Sequence, residues 1–555
     1  MKRWMTHDNI IRIICTACAF GLSYINNVRS IGNGAQWALA VNCIGFCMFP
    51  MIVMRYSLKD FLKLPYYIWT GVFLVLAYPA YLRFAPGTDY NGQTISAIIN
   101  VGLYGIVAIR LVYQLFEKKA SKEKMRIRPA FIIWFAMLFL AAISINKAIW
   151  PIWFIVMFTG FFFAPSDKKM VENIFLGVIE GIIISFFVIQ SKAFLYRPYD
   201  YVRYKGFFQN SNQNSMFYLF VYVAWLGKLA YLRFKEANKW YYRFCLLMAS
   251  AMWAFEMLTI GRVGLLAFVV VTIFFVLAEE IFIYKTKFIG FLKRGLLMFL
   301  LLVVTFVPVY GCVRYIPALR HHPVWFDDYN EETSVFSWDP MDSEKYVSLK
   351  EFFETFLGRF DYGNMENELV ESESTKKVAI RPLTRGVVLA GGVDIAVSES
   401  VLKSVTAVLM AGSSADNPFC DVEVYENALE KALGIRRYIY GYFLQNMTVF
   451  GHEEVYPNVW IKSDYMIMHA HSSYLQFAYC YGILTGVLLL GLSLGVPIGT
   501  FVKMYKKGKA MPWYFLFTMC AILGFAVISI AETACFVGYM LFSLLNICIL
   551  PYARN

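Results

Sequence analysis

The chain has 555 residues, 59% of them hydrophobic and only 16% charged, where an ordinary soluble domain carries about a quarter charged residues. That composition excludes a water-soluble globule and requires most of the chain to lie in a lipid bilayer. The formal net charge of +13 does not mark a nucleic-acid partner: residues 314–466 hold 14 Lys+Arg against 24 Asp+Glu, and the rest of the chain holds 37 against 14, an excess concentrated in short loops as the positive-inside rule describes.

A hydrocarbon core of about 30 Å takes about 20 apolar residues per helix. In chain order this predicts spans at 10–27, 34–54, 66–84, 94–116, 130–145, 149–164, 171–191, 215–232, 244–260, 263–282 and 295–313, then at 473–502, 513–531 and 535–551. Met1-Lys2-Arg3 before the first span imitates a signal peptide, but no small-residue cleavage site follows, so that span is read as retained. The basic loops at 55–63, 118–128, 168–169, 233–243, 285–294 and 503–509 all fall on one side of this fourteen-span arrangement. That side is the cytoplasm, with both termini; segments 86–93, 191–214 and 314–466 lie outside.

The expectation is an all-α polytopic membrane protein with about 14 transmembrane helices. Residues 1–313 form spans 1–11, residues 314–466 one large, mainly helical extracytoplasmic domain, and residues 467–555 spans 12–14. Within the outer domain, 346–359 and 420–448 are amphipathic and predicted helical, 320–345 is a Pro-, Asp- and Ser-rich loop, and 379–411 mixes β-branched residues with glycine and receives no assignment. Most of the 11 cysteines sit in apolar runs and Cys420 stands alone in the polar segment, so neither a disulfide framework nor a zinc spacing is present.

Where the outer domain re-enters the membrane stands Met468-His469-Ala470-His471-Ser472-Ser473-Tyr474-Leu475-Gln476. A histidine at a membrane mouth can act as a general base near neutral pH. Ser472 and Ser473 also suit the N-cap of the following helix, and a metal pair would need a third ligand that the neighbouring residues do not offer.

His471-Ser472, nine residues, then Gly482-Ile483-Leu484-Thr485 resembles the signature of the O-antigen ligase and polysaccharide polymerase family of bacterial membrane glycosyltransferases. Three more segments are similar to that family's patterns in the same order. They are Arg203 to Asn212, resembling its Arg, Gly-x-Phe, Asn-Pro-Asn stretch; Thr259-Ile260-Gly261-Arg262-Val263-Gly264, resembling its Ser-Arg-Gly stretch; and Gly434 to Tyr440, resembling its Arg-x-x-Ile-Trp helix, followed by Gly451. The likeness covers roughly residues 200–500. Ser211, Ser472 and Cys480 stand where members commonly have Pro, Asn and Glu; a carboxylate partner for the histidine would then come from elsewhere, with Glu532 one candidate.

The resemblance implies a GT-C-like enzyme of the bacterial inner membrane with its active site outside. It would move a polyprenyl-diphosphate-linked glycan to a glycan or lipid-linked acceptor, without metal, cofactor or nucleic acid. His471 would take the proton of the attacking hydroxyl, and Arg262 and Arg436 would hold the leaving diphosphate, because a guanidinium stays charged and binds phosphate bidentately. Arg203, Asn210, Asn212, Arg437, His469 and Ser472 would line the substrate site. Polymerisation of repeat units is preferred over ligation of a finished chain, on the strength of the outer domain. A flippase or transporter is the reading from another class, motivated by the intramembrane residues Arg110, Glu180 and Glu256.

Overall fold

A computed structural model describes residues 6–28, 33–61, 63–82, 91–120, 127–148, 150–194, 199–200, 203–208, 210–286, 288–319, 329–330, 335–336, 349–358, 436–461, 465–467, 469–534 and 540–553. The first half is a succession of helices: α1 His7–Val28, α2 Asn33–Val53, α3 Leu64–Leu82, α4 Asn91–Ala120, α5 Pro129–Ala142, α6 Trp150–Phe163, α7 Lys168–Ala193, α8 Ser211–Phe234, α9 Lys239–Thr259, α10 Arg262–Leu277 and α11 Phe288–Leu319. A π-helical turn, Ala278–Ile283, continues α10. The described residues then give α12 Leu349–Gly358, α13 Arg436–Gln445, α14 Ser473–Tyr481, α15 Ile483–Lys507, α16 Tyr514–Ala531, α17 Met540–Cys548 and α18 Leu550–Ala553. Three antiparallel two-stranded hairpins complete them: β1 Tyr199–Asp200 with β2 Arg203–Tyr204, β3 Tyr329–Asn330 with β4 Val335–Phe336, and β5 Val459–Ile461 with β6 Tyr465–Ile467.

A helix stands at each predicted span, and among the described residues seven helices are long and apolar enough to cross a membrane. The protein is a predominantly helical membrane protein. One expectation fails in detail: the span drawn at 473–502 is two helices, α14 and α15, broken at Gly482. Hydropathy does not register such a break, because both pieces are apolar.

The chain divides into two compact units. The first comprises Met1–Phe356, Ile439–Pro457 and His469–Asn555 and contains the helix bundle. The second comprises Leu357–Tyr438 and Asn458–Met468; its described parts are the end of α12, the first residues of α13 and the β5–β6 hairpin. The assignments made for 379–411, for 420–435 and for Cys420 lie outside the described residues, as does most of the 320–345 loop.

Within the bundle, α8 is buried along nearly its full length, whereas α11 is mostly exposed, as expected of a central and a lipid-facing helix. Glycines one turn apart bring α7 against α1: a Cβ at Gly177 or Gly181 would lie 2.5 Å from the carbonyl oxygen of Arg12 or Thr16. Small residues at this spacing allow the closest helix approach available in lipid.

The loops sort to two ends. At one, Arg55 donates to Ser166 Oγ at 2.9 Å, Lys235 pairs with Glu172 at 2.9 Å, and Arg233 and Arg294 pair with Glu279 at 3.1 and 3.5 Å. Arg128 reaches the carbonyl of Pro551 there at 3.3 Å. At the other, Ile145 N donates to Phe450 O at 2.9 Å and Asn146 to Glu453 O at 3.0 Å, joining the α5–α6 turn to the segment after α13. The basic loops thus gather at one end of the bundle, and every motif segment that the first unit holds lies at the other.

Candidate functional site

His471 is the residue before the N-cap of α14, and it takes a left-handed backbone conformation, φ 46°. A residue other than glycine is uncommon there, although histidine takes this conformation more readily than most, and here it is held by its surroundings. Those surroundings are explicit. His471 N donates to His469 Nδ1 at 3.4 Å, and Tyr440 OH lies 3.3 Å from His471 O and 3.2 Å from Ile530 O. Ala470 N donates to Gln476 Oε1 at 2.7 Å, while Gln476 Nε2 donates to Val455 O at 2.7 Å. The two imidazoles lie 4.1 Å apart, both half-buried.

Ser472 is the N-cap residue of α14, but its hydroxyl makes no capping bond; it donates to Ser529 O at 3.1 Å, across to the end of α16. Ser473 Oγ likewise donates to Glu532 O at 2.9 Å and accepts from Ala534 N at 2.8 Å. The serine pair therefore staples the histidine turn to the α16 terminus instead of capping its own helix.

Gly482 explains the break between α14 and α15. It has φ 99° and ψ 149°, a region open essentially to glycine alone. A Cβ there would stand 2.0 Å from Val449 O, and Ile483 N donates to Thr448 O at 3.0 Å. Thr485 Oγ1 closes the corner on Gly482 O at 2.6 Å. These two signature positions are structural: they fold the segment after α13 against the α14–α15 corner.

The Arg203–Asn212 segment docks beside this turn. Asn210 caps α8, its side chain accepting from Gln213 N at 2.9 Å, as asparagine commonly does. Arg203 divides its guanidinium between two partners, Nε to Thr259 O at 3.0 Å and Nη2 to Asn212 Oδ1 at 2.7 Å. Asn212 Nδ2 in turn donates to Glu532 Oε1 at 2.9 Å. A continuous chain thus runs from the α9 terminus through Arg203, Asn212 and Glu532 to Ser473.

Arg262 opens α10, immediately after its N-cap Gly261, and follows Ile260, which is left-handed at φ 52°. Behind it Glu256, fully buried, accepts from Ser215 Oγ at 2.6 Å. Gly264 leaves room for that pair, since a Cβ there would fall 1.9 Å from Ser215 Oγ. Arg436 begins α13 and belongs to the other unit, and the side chain of Arg437 lies outside the described residues.

No protein-family model, curated protein or solved structure matches the chain.

The first unit thus brings together His469, His471, Ser472, Arg203 and Asn212, with Arg262 three residues beyond the Thr259 carbonyl that Arg203 holds. Among the described residues no group of three or more metal-ligating side chains occurs. Sequence reasoning missed Tyr440, Ser473, Gln476 and Thr259 as the braces of the turn, although each stands inside a segment singled out for another residue; Glu532 was reached only as a candidate partner of the histidine, and it contacts Asn212.

The intramembrane charges that suggested a transporter have partners inside the bundle. Arg110 donates to Glu117 at 3.0 Å and to Tyr66 OH at 3.3 Å. Glu180 accepts from Arg12 Nε at 2.7 Å and from Lys228 at 2.6 Å, and Glu256 is held by Ser215 and Thr259.

Proposed function

We propose that the protein is an inverting membrane glycosyltransferase that polymerises polyprenyl-diphosphate-linked repeat units on the outer face of a bacterial inner membrane, crossing it about fourteen times. The observation that carries this reading is the hydrogen-bonded chain Arg203–Asn212–Glu532–Ser473, which joins three segments far apart in sequence beside His471. Two of these segments, Arg203 to Asn212 and the turn that starts at His471, resemble one family's motifs, and all three meet at the end of the bundle away from the basic loops, the outer end by the positive-inside rule.

In this reading the acceptor hydroxyl loses its proton to His471 as its oxygen attacks the anomeric carbon from the face opposite the leaving diphosphate. General-base assistance of this kind contributes about 10²–10⁴-fold. Arg262 faces the charge that develops on the departing phosphate oxygens, helped by the positive end of α10 on which it stands. Arg203 and Asn212 hold one another, and so present a fixed polar wall toward the sugar.

Ligation of a finished chain to lipid A core or protein remains the second reading, favoured by the ligase-like spacing from His471 to Thr485. Purified protein supplied with a lipid-diphosphate oligosaccharide and EDTA should lengthen the glycan; movement of the lipid across liposomes without transfer would support a flippase instead. A deletion strain separates the two enzymes, since single repeat units accumulate without a polymerase and full-length chains without a ligase.

A further inference from the structure

At the end of the bundle where the basic loops gather, a cavity of about 440 Å³ opens between α5, α7, α15 and α16. Arg128, Lys168, Lys503 and Lys507 line it against one carboxylate, Asp167, whose Oδ1 already accepts from Met170 N at 2.7 Å as the cap of α7. Among the described residues, no ion pair includes Lys168, Lys503 or Lys507.

Lys507, with Lys503 one turn before it, stands at the C-terminal end of α15, where a cation is favourable. Arg128 and Lys168 do not: they occupy the N-cap of α5 and the first residue of α7, where the positive end of the helix dipole opposes a cation. The first turns of α5, α7 and α16 all lack an acidic residue. The positive ends of α5 and α16, which have no side-chain cap, and four cations therefore surround one space, with Asp167 engaged at the end of α7, an arrangement that an anion would stabilise. Phe515 and Leu550 form part of its wall, and the helices that border it start or end around it.

We propose that this cavity binds the phosphate of an anionic phospholipid, with the headgroup between the four cations and the acyl chains leaving along the apolar wall. Basic pockets between transmembrane helices recognise lipid phosphate in this way. The site is independent of the transfer reaction.

Native mass spectrometry of the full-length protein, titrated with phosphatidylglycerol or with phosphatidylcholine of the same chain length, tests the proposal. One phosphatidylglycerol should be retained in preference to phosphatidylcholine, and the Lys503→Gln/Lys507→Gln variant should bind it on the order of 30-fold less tightly, from the contribution of two lysines near lipid phosphate. Lys506→Gln, which removes the same charge from α15 outside the cavity, should leave binding unchanged. Lys168→Gln should weaken binding without lowering the melting temperature of the lipid-free protein, because a cation at that helix end is unfavourable on its own. Equal retention of both lipids, or equal losses in Lys506→Gln and the double variant, would overturn the proposal. Binding of inorganic phosphate that phosphatidylglycerol fails to displace would overturn the lipid assignment.

Discussion

Gly482→Ala would test the corner that carries the histidine turn. The added methyl must adopt φ 99° and ψ 149°, a conformation costing a non-glycine residue about 1–3 kcal/mol. It must also displace backbone, because its carbon would lie 2.0 Å from Val449 O and 2.9 Å from Val449 C, and overpacking of this kind costs about 1–3 kcal/mol. The combined destabilisation is about 2–6 kcal/mol, comparable with the whole stability of many domains. Gly491 in α15 is the control: nothing lies within 4 Å of a Cβ there, and alanine is the better helix former by about 0.5–1 kcal/mol. Thermal unfolding in detergent, followed by fluorescence-detected gel filtration, should show Gly482→Ala melting on the order of 5 °C or more below wild type, with Gly491→Ala at or above wild type. Identical melting of both variants and wild type would refute the close approach of residues 448–450 to the α14–α15 corner.

Arg203→Lys should reduce transfer at least tenfold with normal membrane abundance, because an ammonium cannot span Thr259 O and Asn212 Oδ1 as the planar guanidinium does; wild-type rates in an in-vitro transfer assay would contradict this. Arg262→Lys should lower the turnover rate more than it raises the KM for lipid-linked donor, since the residue is assigned to charge appearing in the transition state, and an effect on KM alone would reassign it to ground-state binding. Glu180→Ala should destabilise by about 3–5 kcal/mol, because it strands the buried Lys228, which is only 5% exposed, and leaves Arg12 without its carboxylate. Lys228→Met, which leaves Glu180 paired with Arg12, should melt well above Glu180→Ala; the reverse order would show that the triad is not the anchor between α1, α7 and α8.

Much of the fold was legible because its dominant signal is hydropathy. α5 and α6 are apolar on all sides and separated by a short polar turn, so their limits could be read directly. The division of 473–502 into α14 and α15 was not legible, since an apolar run contains no record of the backbone angle that Val449 imposes on Gly482. Ser472 and Ser473 show the same limit at side-chain scale: their residue type predicts capping, yet the nearness of the α16 terminus diverts both hydroxyls to it. The segments around the histidine turn were singled out one by one in the sequence, but their convergence is a tertiary fact. Asn212 and Glu532 are separated by 320 residues, and no local pattern announces that they touch.

The most direct test of the account is transfer by purified His471→Ala beside wild type, with a lipid-diphosphate oligosaccharide as substrate and EDTA present. The account predicts chain growth by wild type and a loss of at least about a hundredfold in the variant, the scale of general-base catalysis, at equal membrane abundance and melting temperature. Full activity in His471→Ala would remove the histidine from the reaction and contradict the central claim.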